Sequence, residues 1–246
     1  MRALTLAERP DLRDGMLHME ASWPEYIPPE PMLIGWAFDR YPEHQIVVVD
    51  PDDTVVARAA SVPFAWDGDP VSLPDTGWDA ALEMSMLDTF AGRDLTTLCA
   101  LEVAVVPGMR ARNLSGATLA AVADNARRHG YRDVVVPVRP SGKHTEPHVP
   151  MTGYVTRTRD DGLPVDPWLR VHVRAGAEIL KVCPASMTIS GSLAQWRAWT
   201  GLPFDTSGPV VVPGALTPVE VNVDHDHAVY VEPNVWVRHP LVERHA

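Results

Sequence analysis

An α/β fold on a mixed central sheet is what this sequence predicts, and three observations predict it. Two β-rich runs, residues 45–50 and 54–66, are joined by Pro51-Asp52-Asp53 and read as an antiparallel hairpin. Residues 101–123 form an apolar strand that breaks at Pro107 and restarts as a helix through a turn of small residues. That helix closes at Gly130 and leads into the apolar run 133–138, so strand, turn, helix and strand make a crossover with parallel strands.

The remaining elements follow in chain order. Apolar residues at roughly helical spacing over 17–26 predict one short helix, stopped by Pro24, Pro28, Pro29 and Pro31. After the hairpin, 78–87 has helical spacing with Gly92 near its end, and 96–106 resumes as a strand. Residues 115–129 make an amphipathic helix, and a Pro- and His-containing loop covers 139–153. A helix begins at Pro167 and ends at Gly176, followed by a strand over 177–183. Residues 186–246 are read as an extension of one domain spanning 1–246, with 229–237 a candidate for the sheet's final strand.

Composition narrows the function classes. With 246 residues, 46% of them apolar, the chain can bury a full core, and no run reaches the length needed to span a bilayer. The first ten residues are too short and too soon interrupted for a signal peptide, so a cytoplasmic location is expected. Cys99 and Cys183 each sit inside an apolar run and read as buried thiols. A net charge of −11 argues against nucleic acid and anionic membranes as partners and favours a cationic or amine-bearing substrate.

The turn after Pro107 carries the chemistry. The first backbone N–H groups of a helix have no intrahelical acceptor, so a loop over 110–116 would present them, with the positive end of the helix dipole, to a pyrophosphate. Arg110 and Arg112 add charge beside it. The order Arg110, Ala111, Arg112, Asn113, Leu114, Ser115 resembles the cofactor motif of the GNAT superfamily, the acyl-CoA-dependent N-acyltransferases: Arg or Gln, two residues, Gly, one residue, then Gly or Ala. Asn113 stands where the family favours Gly, and Asn is the residue that best tolerates left-handed backbone after Gly. Ser115 stands at the Gly or Ala position and is read as a cap for the helix that follows. The order of elements over about 15–185 also resembles that family's fold.

The resemblance implies a mostly antiparallel GNAT-like sheet flanked by helices, with a C-terminal extension. It also implies acetyl-CoA or another acyl-CoA as co-substrate and no metal. The pantetheine arm would lie in a splay between 101–106 and 133–138, against Val103 and Val105, with residues 110–116, including Gly116, around the pyrophosphate. An acceptor amine, on a small molecule or a peptide, would attack the thioester directly. That reaction needs a group to take the ammonium proton and one to protonate the leaving thiolate. Glu102 is placed for the first task, and the same position also suits an ion-paired carboxylate. His172 stands where family members commonly carry a tyrosine acid, and a histidine packed in the core reads equally well there. Tyr154 is a second candidate acid. Metal ligation by His225-Asp226-His227 is disfavoured against a solvated turn. Lys143, His144 and His148 either line a substrate mouth or stand in solvent. Trp196, Trp199 and Trp236 suit packing of the extension, which could enclose substrate or form a homodimer. The rival reading is a GNAT-fold protein that binds acyl-CoA without catalysis, or that runs a different acyl-CoA reaction.

Overall fold

The structure, a computed structural model, describes residues 1–20, 23–27 and 31–242; the side chains of residues 31–33 and 110–112 lie outside the description. Its centre is a nine-stranded mixed sheet. Four strands on one side are antiparallel neighbours: β1 (Arg2–Thr5), β2 (Ile46–Val49), β3 (Val55–Phe64) and β4 (Thr97–Val105). The predicted hairpin is β2–β3. β4 then pairs in parallel with β5 (Asp133–Val138), across α4 (Leu114–Arg128), as the crossover requires.

Beyond β5 the sheet is organised by β9 (His227–Pro240). One edge of β9 pairs first with β8 (Val219–Asn222) and then with β5, while β6 (Glu178–Gly191) takes the other edge. β7 (Gly208–Val210) completes the far side of β8. The expected last strand is therefore present and longer than 229–237, and the strand expected over 177–183 runs on to Gly191. Its continuation carries the extension's own core, in which Met187, Ile189, Trp196, Phe204, Val219 and Tyr230 pack with Tyr26.

Alternation along β4 explains how helices cover both faces. Leu98 and Ala100 join Val122 and Ala126 of α4, whereas Cys99 and Leu101 face the opposite core with Ala81 and Leu82 of α3 (Gly77–Phe90). α4 buries Leu114, Thr118, Leu119, Val122, Asn125 and Ala126, one stripe at helical spacing. It ends as predicted at Gly130, whose φ of 78° lets Gly130 N–H reach Arg127 O and Tyr131 N–H reach Ala126 O, a Schellman closure. α5 (Met151–Val155) and α6 (Pro167–Arg174) pack beneath β5 and β9 through Met151, Tyr154 and Leu169. Asp166 caps α6 by accepting from the N–H groups of Trp168 and Leu169.

The N-terminal region departs from expectation. The helix expected over 17–26 is displaced to α1 (Arg13–His18), and residues 23–27 are not helical. Pro24 biases Trp23 towards extended backbone, and burial of Tyr26 against Trp196 and Tyr230 rewards that path. A further helix, α2 (Pro31–Arg40), opens on the proline that was read as a stop.

Candidate functional site

β4 and β5 pair only from Thr97–Asp133 to Cys99–Val135. Past that point β5 continues against β9 and β4 continues against β3, so Ala100 to Val105 have no partner strand on the β5 side. This opening is the splay. Val105 is buried and Val103 partly buried along it. Within the same stretch β4 carries an extra residue: Ala60 pairs with Glu102 but Ser61 with Ala100, leaving Leu101 as a bulge. Trp78, at the start of α3, captures the bulged carbonyl, its Nε1–H donating to Leu101 O at 3.0 Å.

The turn at the end of the splay consists of 3₁₀ geometry over Pro107–Arg112 and then Asn113 at φ 55°, ψ 25°. Asn113 thus takes the left-handed conformation for which the sequence suits it. Helix α4 starts at Leu114, so Ser115 lies inside the first turn and does not cap it; Asn113 occupies the cap position without a side-chain cap bond. The first intrahelical bond runs from Ala117 N–H to Asn113 O, which leaves the N–H groups of Leu114, Ser115 and Gly116 without helical acceptors. No acidic residue stands in this first turn. A Cβ on Gly116 would come within 3.0 Å of Asn113 Oδ1, so glycine there makes room for the asparagine side chain. The geometry fits a phosphate-bearing ligand. The side chains of Arg110, Ala111 and Arg112 lie outside the described residues' atoms.

Next to the bulge lies a cavity of about 510 Å³ walled by β3, β4, α2, α3, the second half of β6, Trp23 and Trp199. Its charged wall residues are Arg58, Asp79 and Glu102. Arg58 grips Glu102 with a two-pronged contact, Nε to Oε2 and Nη2 to Oε1, both 2.9 Å. Trp23 Nε1–H donates to the same Oε1 at 2.6 Å. Glu102 is thus an oriented, ion-paired carboxylate on the cavity wall, and Asp79 accepts from the Thr188 N–H.

His172 is elsewhere. It is fully buried, its Nδ1 lies 2.9 Å from His239 Nε2, and Trp168 packs edge-on against its ring. Burial pushes its pKa down to about 3, the setting of a core histidine and not of an acid at the coenzyme. Tyr154 is buried beneath the sheet, donating to Asp166 Oδ2, which also receives Gly142 N–H. Lys143, expected at a loop surface, is fully buried with its ammonium on the carbonyls of Glu146 and Leu216, whereas His144 and His148 line no described cavity wall beside Glu102. Among the described residues no group of three His, Cys, Asp or Glu converges as a metal site, and the His225 and His227 rings stand 6.5 Å apart at a turn. No described helix is long and apolar enough to cross a membrane. Arg58, Trp23 and Trp78 are not singled out as site residues by the sequence, and Trp199, read there as packing of the extension, stands on the cavity wall. Arg58 left a signal there, as the only charge in the strand VVARAASVPF.

No family model matches the chain. The arginine N-acetyltransferase avaD of Aspergillus versicolor is 32% identical over 272 residues, spanning 96% of this chain and 93% of the relative. Among solved structures, the loading GNATL domain of CurA from Lyngbya majuscula aligns with a TM-score of 0.63 at 17% identity, covering 98% of this chain and 96% of that one. The GphF GNAT-like decarboxylase in complex with isobutyryl-CoA aligns at 0.62 and 18%, covering 98% and 100%. These two share the fold. With the splayed strands, the left-handed turn before α4 and a curated relative matched along nearly its whole length, the chain belongs to the GNAT superfamily of acyl-CoA-dependent N-acyltransferases.

Proposed function

We propose that the protein transfers an acetyl or other short acyl group from acyl-CoA to a primary amine of a cationic, arginine-type small molecule, with Glu102 as the residue that receives the amine. The observation that carries this reading is Glu102 at the bulge of β4, where the splay meets the cavity. The pantetheine arm enters along Val103 and Val105, and the pyrophosphate rests on the N–H groups at 113–116 with Arg110 and Arg112 beside it. The thioester carbonyl then reaches the cavity next to Glu102.

A carboxylate offers about four lone-pair sites. Arg58 and Trp23 use two on Oε1 and one on Oε2, so among the described residues a single acceptor site is left, on Oε2. The ammonium of the acceptor donates there and loses a proton to the carboxylate directly or through one water. The neutral nitrogen attacks the carbonyl carbon, the C–N bond forms and the C–S bond breaks; the second proton lost by the nitrogen ends on the coenzyme sulfur as the thiol, and the first leaves Glu102 for solvent. The bulge fixes Glu102 relative to the splay, and proximity of the two substrates supplies much of the rate. The similarity to an arginine N-acetyltransferase supports arginine as the type of acceptor.

The test is thiol release from acetyl-CoA with agmatine and arginine derivatives as acceptors. Acceptor-dependent release that collapses in Glu102→Gln supports the reading. Release that does not depend on any amine, or is unchanged in Glu102→Gln, overturns it.

A further inference from the structure

Two strand irregularities meet at Trp78. At a bulge two residues face one, so the ladder alone does not hold both peptide planes. On β4 the bulged Leu101 is buried, and its carbonyl accepts the Trp78 Nε1–H at 3.0 Å. A peptide group is planar, so holding the Leu101 oxygen also fixes the Glu102 N–H and the Glu102 Cα at the far edge of the same plane. The carboxylate at the other end of Glu102 is held by Arg58 and Trp23. Glu102 is thus fastened at both its backbone and its tip.

Trp78 is anchored in turn. Its backbone N–H donates at 2.9 Å to Ser186 Oγ, on a fully buried residue of β6. Ser186 sits in the second irregularity, where the register against β9 passes from Cys183–Asn234 to Met187–Glu232, four residues along β6 for two along β9. A Cβ at position 77 would collide with the same hydroxyl, so Gly77 lets α3 start hard against β6. Beside this contact Ala185 N–H donates to Asp75 O at 3.1 Å, and Trp236 Nε1–H to Pro74 O at 2.8 Å.

Resting on the transfer reading above, we infer that Trp78 is a positioning residue for acyl transfer: its indole N–H sets the plane of the Leu101–Glu102 peptide, and Ser186 sets Trp78. The indole acts through Glu102, whose carboxylate must stay aimed at the acceptor nitrogen while the thioester lies in the splay. A displaced proton acceptor slows the reaction without weakening coenzyme binding, because the splay and the turn before α4 hold the coenzyme independently of the indole. Ser186, at the start of the C-terminal extension, is thereby linked to the base through one hydrogen-bonded chain.

The test replaces Trp78 by 3-benzothienylalanine, which keeps the ring's shape and lacks the N–H, and by 5-fluorotryptophan, which keeps the N–H. With carbonyl-13C leucine and 15N-glutamate the chain gives two Leu–Glu peptide signals, from 82–83 and 101–102, and Glu102→Gln identifies the second by removing it. Loss of the donor is expected to move the Leu101 carbonyl signal upfield, with 82–83 as internal reference; Ser186→Ala should move it the same way. In turnover of acetyl-CoA with agmatine, the benzothienyl protein should lose at least about tenfold in kcat, with the acetyl-CoA KM within about twofold and the fluorotryptophan protein restored. In the Glu102→Gln background the same replacement should cost less than about threefold, because both changes act on one group. An unmoved Leu101 signal, an unchanged kcat, or a full additional loss in Glu102→Gln overturns the inference while transfer by the wild type stands. An unmoved signal in Ser186→Ala overturns the anchoring by β6. A wild type without amine-dependent turnover overturns the transfer reading, and the positioning role with it.

Discussion

Arg58 reaches diagonally across two strands to hold both oxygens of Glu102, although the residue in register with Glu102 is Ala60 and that in register with Arg58 is Ala104. Diagonal neighbours on one sheet face lie within reach of a long side chain, and the bulge at Leu101 does not break the contact. The pair sets the direction of the carboxylate before any substrate arrives. Glu102→Gln keeps the shape but removes the proton acceptor, so kcat should fall roughly 100-fold or more while acetyl-CoA affinity holds. Steady-state kinetics together with calorimetric binding of acetyl-CoA checks this. An unchanged kcat removes Glu102 from the chemistry.

Asn113 holds the coenzyme turn in the left-handed region, and Gly can replace it without strain. A β-branched residue cannot. Asn113→Gly should therefore leave the acetyl-CoA KM within about twofold, whereas Asn113→Val, strained by about 1–2 kcal/mol, should raise it several-fold. The comparison of the two KM values, at matched thermal stability, is the measurement.

Glu232 is fully buried beside Arg139, which binds its Oε2 at 2.9 Å; Tyr230 donates to the same oxygen, and among the described residues Oε1 has no hydrogen-bond partner. Burial pushes the Glu232 carboxyl up, and the guanidinium opposes that rise. Arg139→Met leaves the carboxylate unpaired and should cost about 3 kcal/mol or more in urea unfolding. Adding Glu232→Leu to it should recover part of the loss, because the orphaned charge is gone.

Three buried histidines give the fold an acid limit. Burial lowers His44 to about 4, helped by His129; it lowers His172 to about 3, helped by His239, and His239 to about 4, helped by Arg127. A group whose folded pKa lies below its unfolded value near 6.5 binds a proton more readily unfolded, so its contribution is complete above that value. Stability should stay level above about pH 7 and fall between about 6.5 and 4, with His172→Phe flattening part of that slope. A urea midpoint that does not change with pH in this window contradicts the assignment.

Much of the fold is legible in the sequence because its signals are local. The Pro51-Asp52-Asp53 turn, the break at Pro107 and the Gly130 closure each act within a few residues, and the crossover follows from their order. Asn113 is legible for the same reason. What stays hidden is long-range: Trp23 and Glu102 are 79 residues apart, His172 and His239 are 67 apart, and no periodicity encodes either meeting. A helix-position histidine looks the same whether its ring faces a coenzyme or another imidazole. The proline cluster misled because Pro31 opens a helix as readily as it closes one.

β9 also imposes an order of assembly. Among the described residues β6 has no other strand partner and β8 has only the short β7 besides, so the pairing of β6 awaits residues 227–240, made after the residues that wall the cavity. Until those residues emerge from the ribosome, the long edge of β6, with Met187 and Ile189, has nothing to pair with and is open to other chains. The enclosed acceptor chamber is therefore a late product of synthesis, and protection of nascent β6 edges is a condition for obtaining it.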